Sequence, residues 1–368
     1  MTPMIAVLFV LGLVLLIVGA DLLVAGASRI AARLGISSLV IGLTVVAFGT
    51  SAPELAVSLT GALGGQADLA LGNVVGSNIF NLLFILGATA LVAPLPVQPQ
   101  LIRLDVPLMI GASLLCWLLA LDGAIGRLDG IILAAGILAY TTALILPTRR
   151  KRVEGGDLSP PAEPPPAPSW RDKLAVQLLQ ILGGLTMLVL GSRWLVDGAI
   201  VAAKAFGVSE LVISLTIVAA GTSLPEVATS ILAAIRGERD IAVGNVVGSN
   251  IFNILCVLGF SSAIGPHGVA VAPQALALDI PIMTAVAVLC FPLFVTGKIV
   301  ARWEGAVFLA YYVAYTLYLV LAAQNSPLLP GFAWTMRTVV MPATAVIAVV
   351  LLWRDVRRRD PLPSARAR

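Results

Sequence analysis

Charged residues are scarce in this sequence, and cysteine and histidine are scarcer still. Of its 368 residues, 11% are charged, three are cysteine and one is histidine. Soluble domains carry about 25% charged residues, so the composition excludes a soluble fold for most of the chain. Cys116, Cys256 and Cys290 lie far apart without metal-ligand spacing and are predicted to be small apolar residues.

Groups that enzymes use for catalysis are also missing from the apolar parts of the chain. The single histidine, His267, lies in a Gly-Pro-His-Gly loop, so Ser51 has no histidine at membrane depth to activate it. Gly297-Lys298 lacks the rest of a phosphate-binding loop. A net charge of +4 can indicate nucleic-acid binding in a soluble protein, but this chain is hydrophobic, and the distribution of its charges matters more than their sum. We therefore predict neither an enzyme nor a nucleic-acid-binding protein, and we expect no cofactor and no obligate protein partner.

Long apolar runs are abundant, since 59% of the residues are hydrophobic. Runs of about 17 to 25 residues or more are long enough to cross a bilayer as helices. Eleven runs are predicted to do so, at residues 4–32, 36–62, 71–93, 104–121, 127–147, 174–204, 208–235, 242–265, 275–297, 304–323 and 332–353. The first run has no basic residue before Arg29, which favours a retained helix over a signal peptide. The lipid bilayer is therefore the predicted surrounding of the chain.

One stretch of chain occurs twice, at residues 35–61 and again 172 residues later at residues 207–233, so that Glu54 aligns with Glu226. Five predicted spans precede the linker between the halves, and because five is odd the two copies enter the membrane from opposite sides. The sequence thus predicts an all-α polytopic membrane protein with about 11 transmembrane helices, arranged as a 5+5 inverted-topology repeat plus one extra C-terminal helix. Its expected parts are the first half, a Pro-rich linker, the second half, and the extra helix with a basic tail, at residues 1–148, 149–173, 174–325 and 326–368.

Basic residues indicate how the chain is oriented. Cytoplasmic loops carry an excess of Lys and Arg, and most of the 23 basic residues fall on one side if the N-terminus lies outside. They include a cluster at residues 149–152 and the tail from Arg354 onward. We therefore expect an integral protein of a bacterial cytoplasmic (inner) membrane, with its N-terminus outside and its C-terminus and linker inside.

Each copy places one carboxylate in the middle of an apolar span, in Gly-Thr-Ser-x-Pro-Glu at residues 49–54 and 221–226. A charged side chain at the bilayer centre costs several kcal/mol, so such a residue is a functional candidate. The proline removes a helical hydrogen bond and frees carbonyl oxygens one turn earlier. Thr50 and Ser51 precede Glu54 by four and three residues, on the same side of a helix. Carboxylates, hydroxyls and free carbonyls are ligands for hard cations such as Ca²⁺ and Na⁺.

The span after each carboxylate carries a stripe of polar residues spaced four apart, which lie on one drifting face of a helix. Ion-lining roles are predicted for Ser77, Asn81, Ser249 and Asn253. Structural roles are predicted for the other asparagines, Asn73, Asn78, Asn245 and Asn250. Two Gly-x-x-x-Gly motifs, at residues 72–76 and 244–248, are expected to permit close helix approach. Asp105 and Asp279, near span ends, are expected to cap helices or to lie at the membrane interface.

The paired Gly-Thr-Ser-x-Pro-Glu and Gly-Asn-x-x-Gly-Ser-Asn-x-Phe-Asn blocks resemble the two alpha-repeats of the cation/calcium exchanger superfamily, in particular prokaryotic Na⁺/Ca²⁺ exchangers. The resemblance implies a ten-helix inverted-repeat fold in which four repeat helices form a central ion pathway and the first and sixth helices slide across them. It implies Ca²⁺ ligands at the carboxylates of Glu54 and Glu226 and the carbonyls of Thr50 and Thr222. It implies that Na⁺ sites add the carbonyls of Ala47 and Ala219 and the side chains of Ser51, Ser77, Ser223 and Ser249, with Asn81 and Asn253 at the centre.

The expected function is a secondary antiporter that exchanges Na⁺ for Ca²⁺ by alternating access. Some K⁺-dependent members of the superfamily carry Asp where this chain has Asn253, so the exchange is expected to be K⁺-independent. A Ca²⁺/H⁺ antiporter is the alternative, although its relatives usually have Asn where Thr50 and Thr222 stand. An ion channel is less favoured because an inverted repeat suits alternating access, and a membrane enzyme because no nucleophile and base pair lies at membrane depth.

Overall fold

A computed structural model of the chain describes residues 3–64, 67–154, 173–207, 213, 216–217 and 219–359. These residues are almost entirely helical, with four strands of two residues each. A helix satisfies its backbone N–H and C=O groups within one segment, as the hydrocarbon of a bilayer requires. The predicted all-α membrane fold is confirmed.

The first half contains eight helices interrupted by π-helical turns. The helices are α1 (Pro3–Leu34), α2 (Ser38–Ile41), α3 (Ala47–Thr50), α4 (Ala52–Leu63), α5 (Ala67–Phe80), α6 (Leu86–Val92), α7 (Val106–Leu119) and α8 (Arg127–Glu154). The π-helical turns are Gly42–Val46, Asn81–Ile85 and Leu101–Asp105. Such turns are rare and often occur at functional sites. Here one ends directly before Ala47 and another begins at Asn81.

The second half repeats this order, followed by the extra C-terminal segment. Its helices are α9 (Leu174–Ala205), α10 (Ala219–Gly221), α11 (Leu224–Ile235), α12 (Arg239–Phe252), α13 (Gly259–Ile264), α14 (Ile280–Val295), α15 (Arg302–Ala323), α16 (Leu329–Thr335) and α17 (Met341–Arg359). A π-helical turn, Asn253–Leu258, begins at Asn253 as its counterpart begins at Asn81. The internal repeat therefore extends to this local backbone distortion.

Up to ten of the predicted spans are present within the described residues. Nine helical segments are long and apolar enough to cross a membrane, and Ser38–Thr50 with Ala52–Leu63 forms a tenth, bent by 44°. The remaining predicted span, 208–235, is described continuously only from residue 219 onward. The total of eleven therefore stays a prediction.

Helices α1 and α9, which are equivalent in the repeat, pack against each other through facing glycines. A Cβ atom on Gly12 would lie 2.8 Å from the carbonyl oxygen of Gly191, and one on Gly184 would lie 2.6 Å from that of Gly19. Those distances are shorter than a van der Waals contact, so only glycine permits this approach. The two backbones are therefore in direct contact.

Two short antiparallel strand pairs join the halves. Strand β1 (Leu95–Pro96) pairs with β4 (Ile299–Val300), and β2 (Ala124–Ile125) pairs with β3 (Val269–Ala270). In each pair, one strand comes from each half. Because β1 precedes the membrane span that contains α7 and β2 follows it, the two pairs lie at opposite ends of the molecule.

Helix α12 forms the centre of the bundle. All its residues from Ile241 to Phe252 are buried, and a Cβ atom on Gly244 would lie 2.9 Å from the carbonyl oxygen of Leu39. The close approach predicted for the second Gly-x-x-x-Gly motif is therefore confirmed. No described atom lies within 4 Å of a Cβ atom placed on Gly72 or Gly76. The segment equivalent to α2 and the following turn in the second half lies largely outside the described residues.

Three features at the edges of the fold differ from expectation or extend it. Helix α8 continues to Glu154, past residue 149 where the linker is predicted to begin. The rest of that linker, residues 155–172, lies outside the described residues. The extra segment packs on α14 and α15, where the hydroxyls of Tyr311 and Thr344 are hydrogen-bonded. It is therefore peripheral to the repeated helices.

Asp105 stands at the N-cap position of α7, but its side chain makes no capping hydrogen bond, so the predicted capping role is wrong. Its predicted place at the membrane interface stays a prediction. Its side chain is fully buried and accepts a hydrogen bond from the Tyr140 hydroxyl at 3.0 Å. Asp279, at the equivalent place, accepts one from Tyr315 at 2.9 Å and caps no helix either. Each carboxylate ends a π-helical turn, and a tyrosine of the next span satisfies it.

Candidate ion-binding site

Each predicted carboxylate lies just after a break in its span. The backbone is non-helical at Ser51 (φ −81°, ψ 4°) and at Ser223 (φ −88°, ψ 8°). In each repeat a new helix begins at the next residue, with proline in its first turn. Proline has no N–H to donate but fits the first turn of a helix, where N–H groups lack partners anyway. Glu54 and Glu226 consequently stand in the first turns of α4 and α11, near the partial positive charge of a helix N-terminus.

The two carboxylates are fully buried and are bonded crosswise between the repeats. The Ser51 hydroxyl donates to Oε1 of Glu226 at 3.2 Å, and the Ser223 hydroxyl donates to Oε1 of Glu54 at 3.0 Å. Each serine precedes one glutamate in sequence but bonds the other. The two breaks therefore face each other and form one site.

The second oxygen of each carboxylate lacks a partner. Oε2 of Glu54 and Oε2 of Glu226 are buried and accept no hydrogen bond from any described residue. Buried polar groups are normally satisfied, and an unpaired buried charge is far more costly than a neutral group. A carboxylate pair of this kind suits a bound cation, which would satisfy both oxygens.

The stripe residues predicted to line the ion pathway are all buried, in the spans that follow the two carboxylates. The Ser77 hydroxyl is hydrogen-bonded to the Ser223 hydroxyl at 3.2 Å, and Ser223 in turn bonds to Glu54. The Ser249 hydroxyl, the Oδ1 atom of Asn253 and both polar atoms of the Asn81 amide are buried without partners among the described residues. The donor set is thus carboxylate, hydroxyl and amide oxygen, the chemistry that Ca²⁺ and Na⁺ prefer.

Threonine side chains fix the backbone on both sides of the breaks. The Thr50 hydroxyl donates to Oδ1 of Asn245 at 3.0 Å, and the Asn245 amide in turn donates to Ser230 at 2.9 Å. In the other half, the Thr222 hydroxyl donates to Asn73 at 3.4 Å. These hydroxyls donate their hydrogens to the two asparagines, and the carbonyls of Thr50 and Thr222 stay the predicted cation ligands.

Asn73 and Asn245 lie next to the site, and the sequence predicts structural roles for both. Asn73 donates to the Ser58 hydroxyl at 2.9 Å and to the carbonyl of Glu54 at 3.3 Å. It therefore holds the carboxylate-bearing turn to the neighbouring span, as Asn245 does through Ser230. The predicted structural role agrees with these bonds.

Ala47 and Ala219 occupy equivalent places, each at the start of a short helix before the break. A Cβ atom on Gly248 would lie 2.8 Å from the Cβ atom of Ala47, which places Ala47 beside the residue preceding Ser249. All twelve predicted site residues are thus in the segments that form the two breaks and the two stripes. Their roles as cation ligands stay predictions.

Comparisons with known proteins agree with this arrangement. The family model described as "Sodium/calcium exchanger protein" matches residues 4–146 and 176–321. Over 361 aligned residues, the chain is 32% identical to the sodium/calcium exchanger MaX1 of Methanosarcina acetivorans, covering 85% of this chain and 97% of that protein. It is 40% identical to the inner membrane protein YrbG of Escherichia coli, over 77% of this chain and 86% of YrbG.

A solved structure is similar over the same extent. The sodium-calcium exchanger NCX_Mj, in crystals soaked with Na⁺ and Ca²⁺, matches with a TM-score of 0.70 and 30% sequence identity. The match covers 85% of this chain and 97% of that structure. Both halves of the repeat therefore correspond to those of a known exchanger fold.

Proposed function

The chain belongs to the sodium/calcium exchanger family, and on that premise we propose that it is an antiporter that exchanges Na⁺ for Ca²⁺. The observation that carries the proposal is the crossed pair of buried carboxylates, each bonded by the serine of the other repeat and each left with one unpartnered oxygen. The groups around them offer only oxygen, and the proposal assigns the protein no enzymatic step.

The proposed Ca²⁺ ligands are the carboxylates of Glu54 and Glu226 with the carbonyls of Thr50 and Thr222. The proposed Na⁺ ligands add the carbonyls of Ala47 and Ala219 and the side chains of Ser51, Ser77, Ser223, Ser249, Asn81 and Asn253. The unpartnered oxygen atoms of Asn81, Ser249 and Asn253 support this assignment because a cation would satisfy them without displacing another bond.

Charge balance explains why the two ions exchange. Two ionised glutamates carry a charge of −2, which one Ca²⁺ or two Na⁺ neutralise. The two loads compete for the same oxygens, and a site exposed to one side at a time converts competition into exchange. If further Na⁺ binds at the hydroxyls and carbonyls, each cycle moves net charge and responds to the membrane potential by about 2.3 kcal/mol per charge per 100 mV.

Two further parts of the proposal concern K⁺ and location. The neutral amide at Asn253 favours K⁺-independent exchange. The excess of basic residues on one side favours an outside N-terminus and an inside C-terminus. The name of YrbG, an inner membrane protein, supports the inner membrane as the location.

Ion flux in proteoliposomes tests the proposal. Purified protein is reconstituted, ⁴⁵Ca²⁺ uptake is measured under an imposed Na⁺ gradient, and a protonophore is added in a parallel sample. We expect uptake that follows the Na⁺ gradient and persists with the protonophore. Uptake that ignores Na⁺ but collapses when a pH gradient is dissipated would assign the protein to the Ca²⁺/H⁺ alternative.

A further inference from the structure

Asn78 lies directly beside the proposed site and joins the two repeats. Its side chain is buried, and its Nδ2 atom donates to the backbone carbonyl of Asn250 at 3.2 Å. Its Oδ1 atom accepts a hydrogen bond from Nδ2 of Asn253 at 3.1 Å. One amide therefore connects the backbone of α12 to a proposed ion ligand.

The orientation of both amides follows from chemistry. A backbone carbonyl can only accept, so the NH₂ end of Asn78 must face Asn250 and its oxygen must face position 253. Asn253 must then turn its own NH₂ toward Asn78. Its Oδ1 atom is left buried and has no hydrogen-bond partner among the described residues.

The twin positions in the repeat lack this support. Asn250 is the counterpart of Asn78, but its amide donates to the carbonyl of Val246 in its own helix at 2.7 Å. Asn81, the counterpart of Asn253, has no hydrogen bond to either polar atom of its amide among the described residues. The two halves of the site therefore differ, and only the half with Asn253 holds its amide in one orientation.

We propose that Asn78 is a positioning residue that holds the Asn253 carbonyl oxygen toward the bound cation and requires an amide rather than a carboxylate at position 253. A carboxylate there would meet the Asn78 oxygen acceptor to acceptor. Flipping the Asn78 amide would remove that repulsion, but it would place the Asn78 oxygen against the carbonyl oxygen of Asn250, which is also an acceptor. This inference rests on the proposed function, and it would keep the charge of the site at −2, set by Glu54 and Glu226.

The first test compares Asn78→Ala with Asn250→Ala in proteoliposomes. Both substitutions remove one buried amide at equivalent positions, and both keep the backbone carbonyl at residue 250. Because residues that hydrogen-bond to a metal ligand are typically worth about 10–100-fold in metal affinity, we expect Asn78→Ala to raise the Na⁺ concentration for half-maximal exchange on the order of tenfold. Its maximal rate should change far less, and Asn250→Ala should stay within about twofold of wild type.

A merely structural role predicts a different pattern. It would lower the yield of monodisperse protein and the maximal rate, with the Na⁺ dependence unchanged, and that result would overturn the inference. Equal shifts of the Na⁺ dependence in both variants would also overturn it. If Asn78→Ala does not fold, Asn78→Ser, which keeps a hydroxyl in the same cavity, replaces it with the same expectation.

A double-mutant cycle tests the requirement for an amide. Asn253→Asp alone should raise the Na⁺ concentration for half-maximal exchange. Adding Asn78→Ala should lower that concentration part of the way back, because the opposing acceptor is gone. Contacting residues show such non-additivity, whereas independent residues add. Additive losses would contradict the inference. Wild-type protein measured in parallel separates the two hypotheses, since failure of the proposed function would appear as Na⁺-independent Ca²⁺ uptake in wild type itself.

Discussion

Ser223 of the second repeat donates a hydrogen bond to Glu54 of the first repeat at 3.0 Å, and both side chains are fully buried. The equivalent bond joins Ser51 to Glu226. Each carboxylate is therefore oriented by the other repeat. A change at either one alters a shared site, and this makes the glutamates the most direct targets for mutation.

Replacing Glu54 or Glu226 by Gln should abolish Ca²⁺ transport and leave the protein folded. Gln keeps the volume and can still accept from the serine, but it removes one of two charges that balance a divalent ion. The attraction between a unit charge and a divalent ion is roughly 8 kcal/mol at about 4 Å with an effective dielectric constant of about 20, and losing even about half of it lowers the affinity about a thousandfold. Asp122→Asn, in an exposed loop, is the matched control. Wild-type ⁴⁵Ca²⁺ exchange in either Gln variant would show that these carboxylates serve packing alone.

The glycine contact between α1 and α9 should be sensitive to added volume. A Cβ atom on Gly184 would lie 2.6 Å from the Gly19 carbonyl oxygen, whereas no described atom lies within 4 Å of one on Gly183. We expect Gly184→Leu to lower the melting temperature and the exchange rate, since overpacking costs about 1–3 kcal/mol. Gly183→Leu should match wild type in thermal denaturation and in flux. Equal behaviour of the two variants would mean that the helices do not depend on this approach.

An ion pair ties α1 to the end of α11. Asp21 bonds to Arg236, and beside them the Ser28 hydroxyl donates to Glu238 at 2.5 Å. The twin positions are Arg193 and Gly64, which cannot form such a pair, so this contact is not repeated at the equivalent positions.

If α1 moves relative to α11 during transport, breaking the pair should shift the rate of exchange. Exposed ion pairs are worth about 0–1 kcal/mol, so Arg236→Gln should change the initial rate by up to about fivefold. Swapping the charges, with Asp21→Arg and Arg236→Asp together, should restore much of the wild-type rate. A swap no better than either single change would show that the pair itself is not responsible.

The extra C-terminal segment should be dispensable for exchange itself. Every repeated polar position lies before it, and its described contacts are with α14 and α15. We expect a protein truncated from about residue 328 onward to retain measurable Na⁺-driven Ca²⁺ uptake once it is shown to be monodisperse. A well-folded truncation without transport would mean that this segment shapes the ion pathway.

The repeat made much of this site predictable. Glu54 and Glu226 stand out because a carboxylate in an apolar span is costly, and their duplication in register indicates a shared purpose. The predicted stripe residues lie in the helices around them, because a spacing of four residues keeps side chains on one helix face. The family and the all-α membrane fold that these motifs predicted are both confirmed.

Contacts between the repeats could not be predicted in the same way. The crossed bonds of Ser51 and Ser223 depend on how the two breaks face each other, which no local pattern encodes. Nor does sequence distinguish Asn78 from Asn250, since both occupy the same place in identical motifs but donate to different carbonyls. The burial of Asp105 was missed because its partner, Tyr140, lies in another span and its carboxylate is drawn inward by a π-helical turn.

Equilibrium ⁴⁵Ca²⁺ binding to the purified protein, measured at increasing Na⁺ concentration, tests most directly whether the two ions share the site between Glu54 and Glu226. The account predicts saturable Ca²⁺ binding that Na⁺ displaces competitively and that both Glu54→Gln and Glu226→Gln eliminate. Ca²⁺ binding that survives both substitutions, or that Na⁺ leaves unchanged, would contradict it.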